Sequence, residues 1–174
     1  MRHFLDRIYL AAGWVAAFTI LAIAILISAQ IFLNLATRVF DLPLPSTIPS
    51  YADFSGFMLA AATFLAMPYT FRSGGHIRVS LVTARLPRRA QFGAEVLALT
   101  AATLLSALAV CFIWVLVRES VHFGDLSTGT VPIPLCIPLT AMAVGMTLFC
   151  VAVLDSLWQT IAGGAAVIPG EGGV

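Results

Sequence analysis

The chain has 174 residues, of which 60% are hydrophobic and only 10% are charged, and its mean hydropathy is +1.01. Soluble domains carry about 25% charged residues, so this composition excludes the water-soluble classes of protein. The net charge is only +1, and we expect no nucleic-acid partner for a chain of this kind.

Four long stretches of the chain contain no Asp, Glu, Lys, Arg or His residue: 8–37, 54–71, 96–117 and 126–154. Crossing a hydrocarbon core of about 30 Å takes roughly 20 residues of helix. A helix also satisfies its own backbone hydrogen bonds in lipid, which a single strand does not. The sequence therefore predicts an all-α integral membrane protein with four transmembrane helices, at about residues 8–36, 51–72, 90–120 and 135–161.

The segments between and after these helices are short. The first connection, 41–49, holds three prolines and is expected to be extended and stiff. Residues 76–86 in the second connection have the composition of a short helix on the membrane surface. We expect residues 1–162 to form one four-helix transmembrane domain and residues 163–174 to form a disordered C-terminal tail.

All nine basic residues are arginines, and their distribution predicts the orientation in the membrane. Only Arg38 and Arg118 lie on one face, and the other seven lie before the first helix or between the second and third. Because cytoplasmic loops carry the excess of basic residues, both termini and the middle loop should be cytoplasmic. Aromatic residues near the cytoplasmic ends, Tyr9, Trp14, Tyr69 and Trp158, are placed as interfacial belt residues.

Several residues are candidates for packing and pairing between the helices. Small residues recur four positions apart at Ala24 and Ser28, Gly56 and Ala60, and Ala141 and Gly145, a spacing that lets membrane helices approach closely. Ser50 or Asp53 is expected to cap the second helix. We expect Asp155 to pair with Arg72 or Arg7, and Asp53 to pair with Arg38.

The sequence offers no catalytic, cofactor-binding, metal-binding or substrate-binding residue. Its three histidines lie outside the four apolar stretches, whereas a haem-binding bundle needs histidines within them. The cysteines form no Cys-x-x-Cys pair and are interpreted as small apolar packing residues: Cys111, Cys136 and Cys150. An alternative from a different functional class is a four-helix membrane redox enzyme with quinone or thiol chemistry.

Two regions are candidates for contacts with other molecules. The cytoplasmic loop concentrates arginines that would contact lipid phosphates or partner carboxylates: Arg72, Arg78, Arg85, Arg88 and Arg89. On the opposite side, Asp41 and Asp125 lie in short acidic connections and are candidates for docking a soluble partner with a basic surface.

Two motifs resemble a known family of membrane transporters. Residues 72–80, Arg-Ser-Gly-Gly-His-Ile-Arg-Val-Ser, follow the second helix and contain Gly75 and His76. They are similar to the signature loop of the small, DctQ-type membrane subunit of tripartite ATP-independent periplasmic (TRAP) transporters. Residues 127–138, which begin Ser-Thr-Gly-Thr-Val-Pro-Ile-Pro, resemble that family's second recognisable stretch. The chain departs from the family at Ser80, where an acidic residue is common.

The resemblance implies a subunit of the bacterial inner membrane that is not itself an enzyme. Its partners would be a large multi-span permease subunit, a periplasmic substrate-binding protein and the membrane lipids. The permease subunit would move organic acids or related solutes together with Na⁺. The small subunit would be a fixed scaffold beside the moving element, and the family has no catalytic residue to transfer to this chain.

Overall fold

The structure, a computed structural model, describes residues 2–39, 45, 47–73 and 87–163, with the backbone alone at residues 2, 3, 88 and 89. It contains four helices: α1 (Arg2–Val39), α2 (Tyr51–Arg72), α3 (Arg88–Phe123) and α4 (Cys136–Gly163). All four are long and apolar enough to cross a membrane, as the sequence predicts. Within the described ranges there is no strand, and one isolated bridge joins Leu126 to Pro134.

The predicted surface helix at residues 76–86 lies outside the described residues. The same is true of the predicted tail beyond Gly163, the residue at which α4 ends.

The helix ends follow local backbone chemistry. Ser50 precedes α2 in the left-handed conformation, with φ of 55°, and its carbonyl accepts the Phe54 N–H at 3.0 Å. Its hydroxyl makes no cap hydrogen bond to α2, so the predicted capping role of the Ser50 side chain is wrong. Pro87 is extended before α3, and Gly124 caps the end of α3 after Phe123, with a φ of 67° that is readily adopted only without a side chain.

The helices pack in the spatial order α1, α2, α4, α3, which differs from their order along the chain. Helix α1 packs on α2, α2 on α4, and α4 on α3. In the most apolar 18-residue window of each helix, 33% of the window is buried in α4, against 11% in each of the other three helices. Helices α2 and α4 therefore form the inner pair of the bundle, and α1 and α3 form its two edges.

Two glycines permit close helix contacts. A Cβ atom at Gly145 on α4 would lie 2.5 Å from the carbonyl carbon and oxygen of Phe64 on α2. A Cβ atom at Gly13 on α1 would lie 3.1 Å from the Tyr69 ring of α2. Of the predicted small-residue pairs, the one that contains Gly145 lies at a tight contact. At Gly56 an added Cβ would meet nothing within 4 Å, so that glycine does not pack within the described chain.

Candidate functional site

One guanidinium group joins three helices at the end of the bundle where α2 finishes. The Arg72 Nη2 atom of α2 lies 3.1 Å from Oδ1 of Asp6 on α1. Its Nη1 atom lies 3.2 Å from Oδ2 of Asp155 on α4. The Gln159 amide also donates to Oδ2 of Asp155, at 2.6 Å. This ion triad, Asp6–Arg72–Asp155, fixes the ends of α1, α2 and α4 relative to one another.

The triad lies at the boundary between the bundle and its surroundings. The exposed fractions of the Arg72, Asp6 and Asp155 side chains are 26%, 49% and 21%. Two carboxylates share one guanidinium, so the triad carries a net charge of −1. Because the pairs are partly exposed, we place the stabilisation by each nearer the roughly 1 kcal/mol of a surface pair than the 3–5 kcal/mol lost on breaking a buried one.

The triad confirms one predicted pair, Arg72 with Asp155, and adds one residue, Asp6, that the sequence did not indicate as a partner. Asp155 pairs with Arg72, and Arg7 makes no ion pair to any described residue. Asp6 was not predicted as a partner, although it precedes the first predicted helix on the same predicted side of the membrane as Arg72. Tyr9 is only 1% exposed, so it is a core residue and not the predicted interfacial one. Its hydroxyl has no hydrogen-bond partner among the described residues.

The opposite end of the bundle is held by hydrogen bonds between connecting segments. The Ser50 hydroxyl before α2 accepts the Val131 N–H at 2.8 Å, which attaches the α3–α4 connection to the start of α2. The Gln30 side-chain oxygen on α1 accepts the Ile48 N–H at 2.7 Å. These two bonds fix the first connection to both neighbouring parts of the bundle.

The α3–α4 connection is itself compact. The Leu135 N–H donates to the Asp125 carbonyl at 3.0 Å, and the Ser127 N–H donates to the Ile133 carbonyl at 2.8 Å. The Ile133 N–H donates in turn to the Ser127 hydroxyl at 3.0 Å. Residues 125–135 therefore form a closed loop, and this loop contains most of the second stretch on which the family resemblance rests.

The predicted pair between Asp53 and Arg38 is wrong, because neither residue makes an ion pair to a described residue. The Asp53 carboxylate lies against Gly129 of the closed loop, where an added Cβ would overlap it. Arg38 lies two turns beyond Gln30, near the end of α1.

The structure describes only some of the predicted contact residues. Arg72 belongs to the triad, and Asp125 is exposed in the closed loop. Arg88 and Arg89 are the first two residues of α3. The remaining predicted contact residues lie outside the described part of the chain: Asp41, Gly75, His76, Arg78 and Arg85.

The middle of the bundle offers an apolar groove and no polar site. The groove, about 510 Å³, lies between α2, α3 and α4 and is lined only by apolar side chains, including Phe64, Phe112 and Phe149. In the described ranges no group of three or more His, Cys, Asp or Glu residues is placed to hold a metal ion. The three cysteines are free thiols, on α3 and α4.

One of three comparisons with known proteins gives a match. The family model for the DctQ component of tripartite ATP-independent periplasmic transporters matches residues 27–163. No curated protein and no solved structure matches the chain. The matched region includes α2, α3, α4, the closed loop and the last turns of α1. The chain therefore belongs to the DctQ family, and it is a four-helix membrane component of a TRAP transporter.

Proposed function

We propose that this chain is a non-catalytic scaffold subunit of a TRAP transporter in the bacterial inner membrane. It pairs with the large permease subunit, which moves organic acids or related solutes together with Na⁺. A periplasmic binding protein delivers the solute. Both termini and the loop between α2 and α3 are cytoplasmic, so the triad lies at the cytoplasmic end and the closed loop at the periplasmic end.

The observation that carries this proposal is the position of the charged groups. The described residues of α2 and α4 that carry a formal charge are Asp53, Arg72 and Asp155, and each lies in the first or last turns of its helix. Threonine hydroxyls within the described helices donate to their own backbone, as Thr147 does to the Ala143 carbonyl at 2.7 Å. A polar solute or ion crossing a membrane needs intramembrane partners. The described interior therefore supports a structural role better than a transport path.

Three contacts support the view that the subunit is a rigid body. The triad joins α1, α2 and α4 at one end, and the Ser50–Val131 bond joins the connections at the other. Between them, Gly145 brings α4 against the α2 backbone. Because the helices are held at both ends and in the middle, this arrangement suits a stationary support better than a moving element.

Reconstitution tests the proposal directly. Proteoliposomes are prepared with this chain alone, with the large subunit alone and with both, and Na⁺-driven solute uptake is measured with the binding protein outside. We expect uptake only when both membrane subunits are present. Uptake by this chain alone would show that it contains a transport path. Full uptake by the large subunit alone would show that transport does not require this chain as a scaffold.

The arginines of the cytoplasmic loop form a second part of the proposal. Arg78, Arg85, Arg88 and Arg89 hold this loop on the membrane surface through lipid phosphates or partner carboxylates. Each basic residue near an anionic surface contributes about 1 kcal/mol. The double variant Arg78→Gln, Arg85→Gln should keep its topology but co-purify with less of the large subunit. Unchanged co-purification would leave these two arginines with only a topological role.

The periplasmic end is the proposed docking surface for the binding protein. Asp125 is exposed on the closed loop, whose hydrogen bonds restrict its conformation before a partner arrives. Prior ordering reduces the entropy lost on binding. The double variant Asp41→Lys, Asp125→Lys should slow uptake mainly at low concentrations of binding protein. If uptake is unchanged at every concentration and salt level, docking belongs to the large subunit alone.

A further inference from the structure

The last three turns of α1 carry a polar stripe next to an apolar one. Gln30, Asn34 and Arg38 are spaced four residues apart and share one side of the helix. The residue after each is apolar and forms a second stripe at the same spacing: Ile31, Leu35 and Val39. These three apolar side chains are 63%, 54% and 62% exposed.

The two stripes line a groove whose opposite wall is Tyr51, the first residue of α2. The groove has a volume of about 450 Å³ and contains all six stripe residues. The end of the groove at Gln30 is fixed, because the Gln30 residue is only 6% exposed and its side chain accepts the Ile48 N–H at 2.7 Å. The groove is therefore apolar along one side, polar along the other, and anchored at one end.

The groove lies at the level of lipid headgroups. The triad marks one membrane boundary at Asp6, and Gln30 lies 24 residues further along α1, or about 36 Å at 1.5 Å per residue. That length crosses the roughly 30 Å hydrocarbon core at a tilt of about 35°, which is within the range of about 0–40° for membrane helices. The eight residues from Gln30 to Arg38 add about 12 Å of helix, which places Arg38 beyond the hydrocarbon.

The polar side of the groove has the chemistry of a phosphate site. Arg38 makes no ion pair to any described residue, and a guanidinium group suits the geometry of phosphate oxygens. The Asn34 amide and the Tyr51 hydroxyl are further donors along the same groove. A free anion would leave the exposed apolar stripe uncovered, whereas a phospholipid supplies both a phosphate and an acyl chain.

We propose that this groove binds a single phospholipid, with its phosphate at Arg38 and with its glycerol esters and the first carbons of an acyl chain along Leu35 and Ile31. In the proposed orientation the lipid belongs to the periplasmic leaflet. The site is separate from the cytoplasmic arginines and does not depend on the transport role, because it is built from α1 and the start of α2 alone.

Native mass spectrometry of the purified full-length chain tests the site, with dioleoylphosphatidylglycerol as the probe. The variant Arg38→Gln should weaken retention of one lipid about tenfold, the effect of losing one charge-assisted hydrogen bond. Arg118→Gln is the matched control, because Arg118 is the other arginine of the same membrane face and does not line the groove. Arg38→Lys, which keeps the charge, should retain most of the binding.

Three further measurements decide whether the groove binds a phospholipid, a free anion or only loosely attracted lipid. Dioleoylglycerol, which has the same chains without phosphate, should be retained poorly; equal retention overturns the phosphate contact. Millimolar inorganic phosphate should not displace the lipid, and displacement would identify a free-anion site. Equal losses in Arg38→Gln and Arg118→Gln would show only general surface attraction and would overturn the proposal. Asn34→Ala gives an independent variant, expected to weaken retention several-fold without the loss of a charge.

Discussion

Gly145 lies where α4 meets the backbone of α2, and it gives the most direct test of how this bundle is packed. An added Cβ would lie 2.5 Å from the carbonyl carbon and oxygen of Phe64 and 2.8 Å from the Leu65 nitrogen. These are backbone atoms of a helix, so no side-chain rotation relieves the overlap. Reaching ordinary van der Waals distance therefore requires the two helices to separate by about 1 Å.

The magnitude follows from that displacement. A gap of 0.5–1 Å forfeits about a quarter to a half of each contact energy along the crossing. Overpacking in proteins costs about 1–3 kcal/mol. At about 2–4 °C per kcal/mol for a chain of this size, Gly145→Ala should lower the thermal midpoint by roughly 5 °C. Intrinsic fluorescence of the three tryptophans reports the transition in the purified chain.

The matched control is Gly56→Ala on α2, where an added Cβ meets nothing within 4 Å. Alanine favours the helix over glycine, so this variant should keep or slightly raise the midpoint. The two variants make the same chemical change, and only the packing differs. Equal shifts in both, or no shift in Gly145→Ala, would refute the assignment of α2 and α4 as a tightly packed pair.

Two further substitutions test the contacts at the ends of the bundle with the same thermal measurement. Arg72→Gln leaves the Asp6 and Asp155 carboxylates without their shared cation and should cost about 1–2 kcal/mol, whereas Arg7→Gln, its control, should have no effect. Equal shifts in both would mean that the triad adds no stability. Gly129→Ala places a methyl group against the Asp53 carboxylate and the Ser50 hydroxyl, which are movable side-chain ends, so its loss should be smaller than that of Gly145→Ala. A larger loss would mean that the closed loop is held more rigidly than its hydrogen bonds indicate.

The number of helices and their approximate positions follow from the sequence, because the length of an uncharged stretch reports directly on membrane crossing. The helix ends do not follow in the same way. Helix α1 begins at Arg2 and ends at Val39, beyond the predicted 8–36, and α3 runs from Arg88 to Phe123, beyond the predicted 90–120. Hydropathy marks where the chain enters lipid, whereas a helix continues until its backbone pairing is interrupted, as at Gly124.

The contacts between helices depend on the spatial order of the helices, which no single stretch of sequence specifies. Arg72 was predicted to pair with Asp155, but the second partner, Asp6, requires α1 and α4 to flank α2. The same limitation affected the glycines: Gly56 and Gly145 have similar sequence contexts, and only the spatial order of the helices places one of them at a contact. The predicted Asp53–Arg38 pair does not form among the described residues, and the Asp53 carboxylate lies against Gly129 of the closed loop.

The distribution of burial connects this packing to a supporting role. Helix α4 alone has a substantial buried share, and α1 and α3 each pack mainly on one neighbour. In lipid, exposed apolar side chains are not penalised, so a bundle this open is stabilised by specific close contacts more than by enclosing a core. Those contacts are the triad, the Gly145 crossing, the Ser50–Val131 bond and the Gln30–Ile48 bond, and together they hold α1, α2 and α4 at both ends of the bundle. A bundle with fixed helices and open apolar sides presents a large surface to neighbours while resisting bending, and these are the properties that the proposed scaffold role requires.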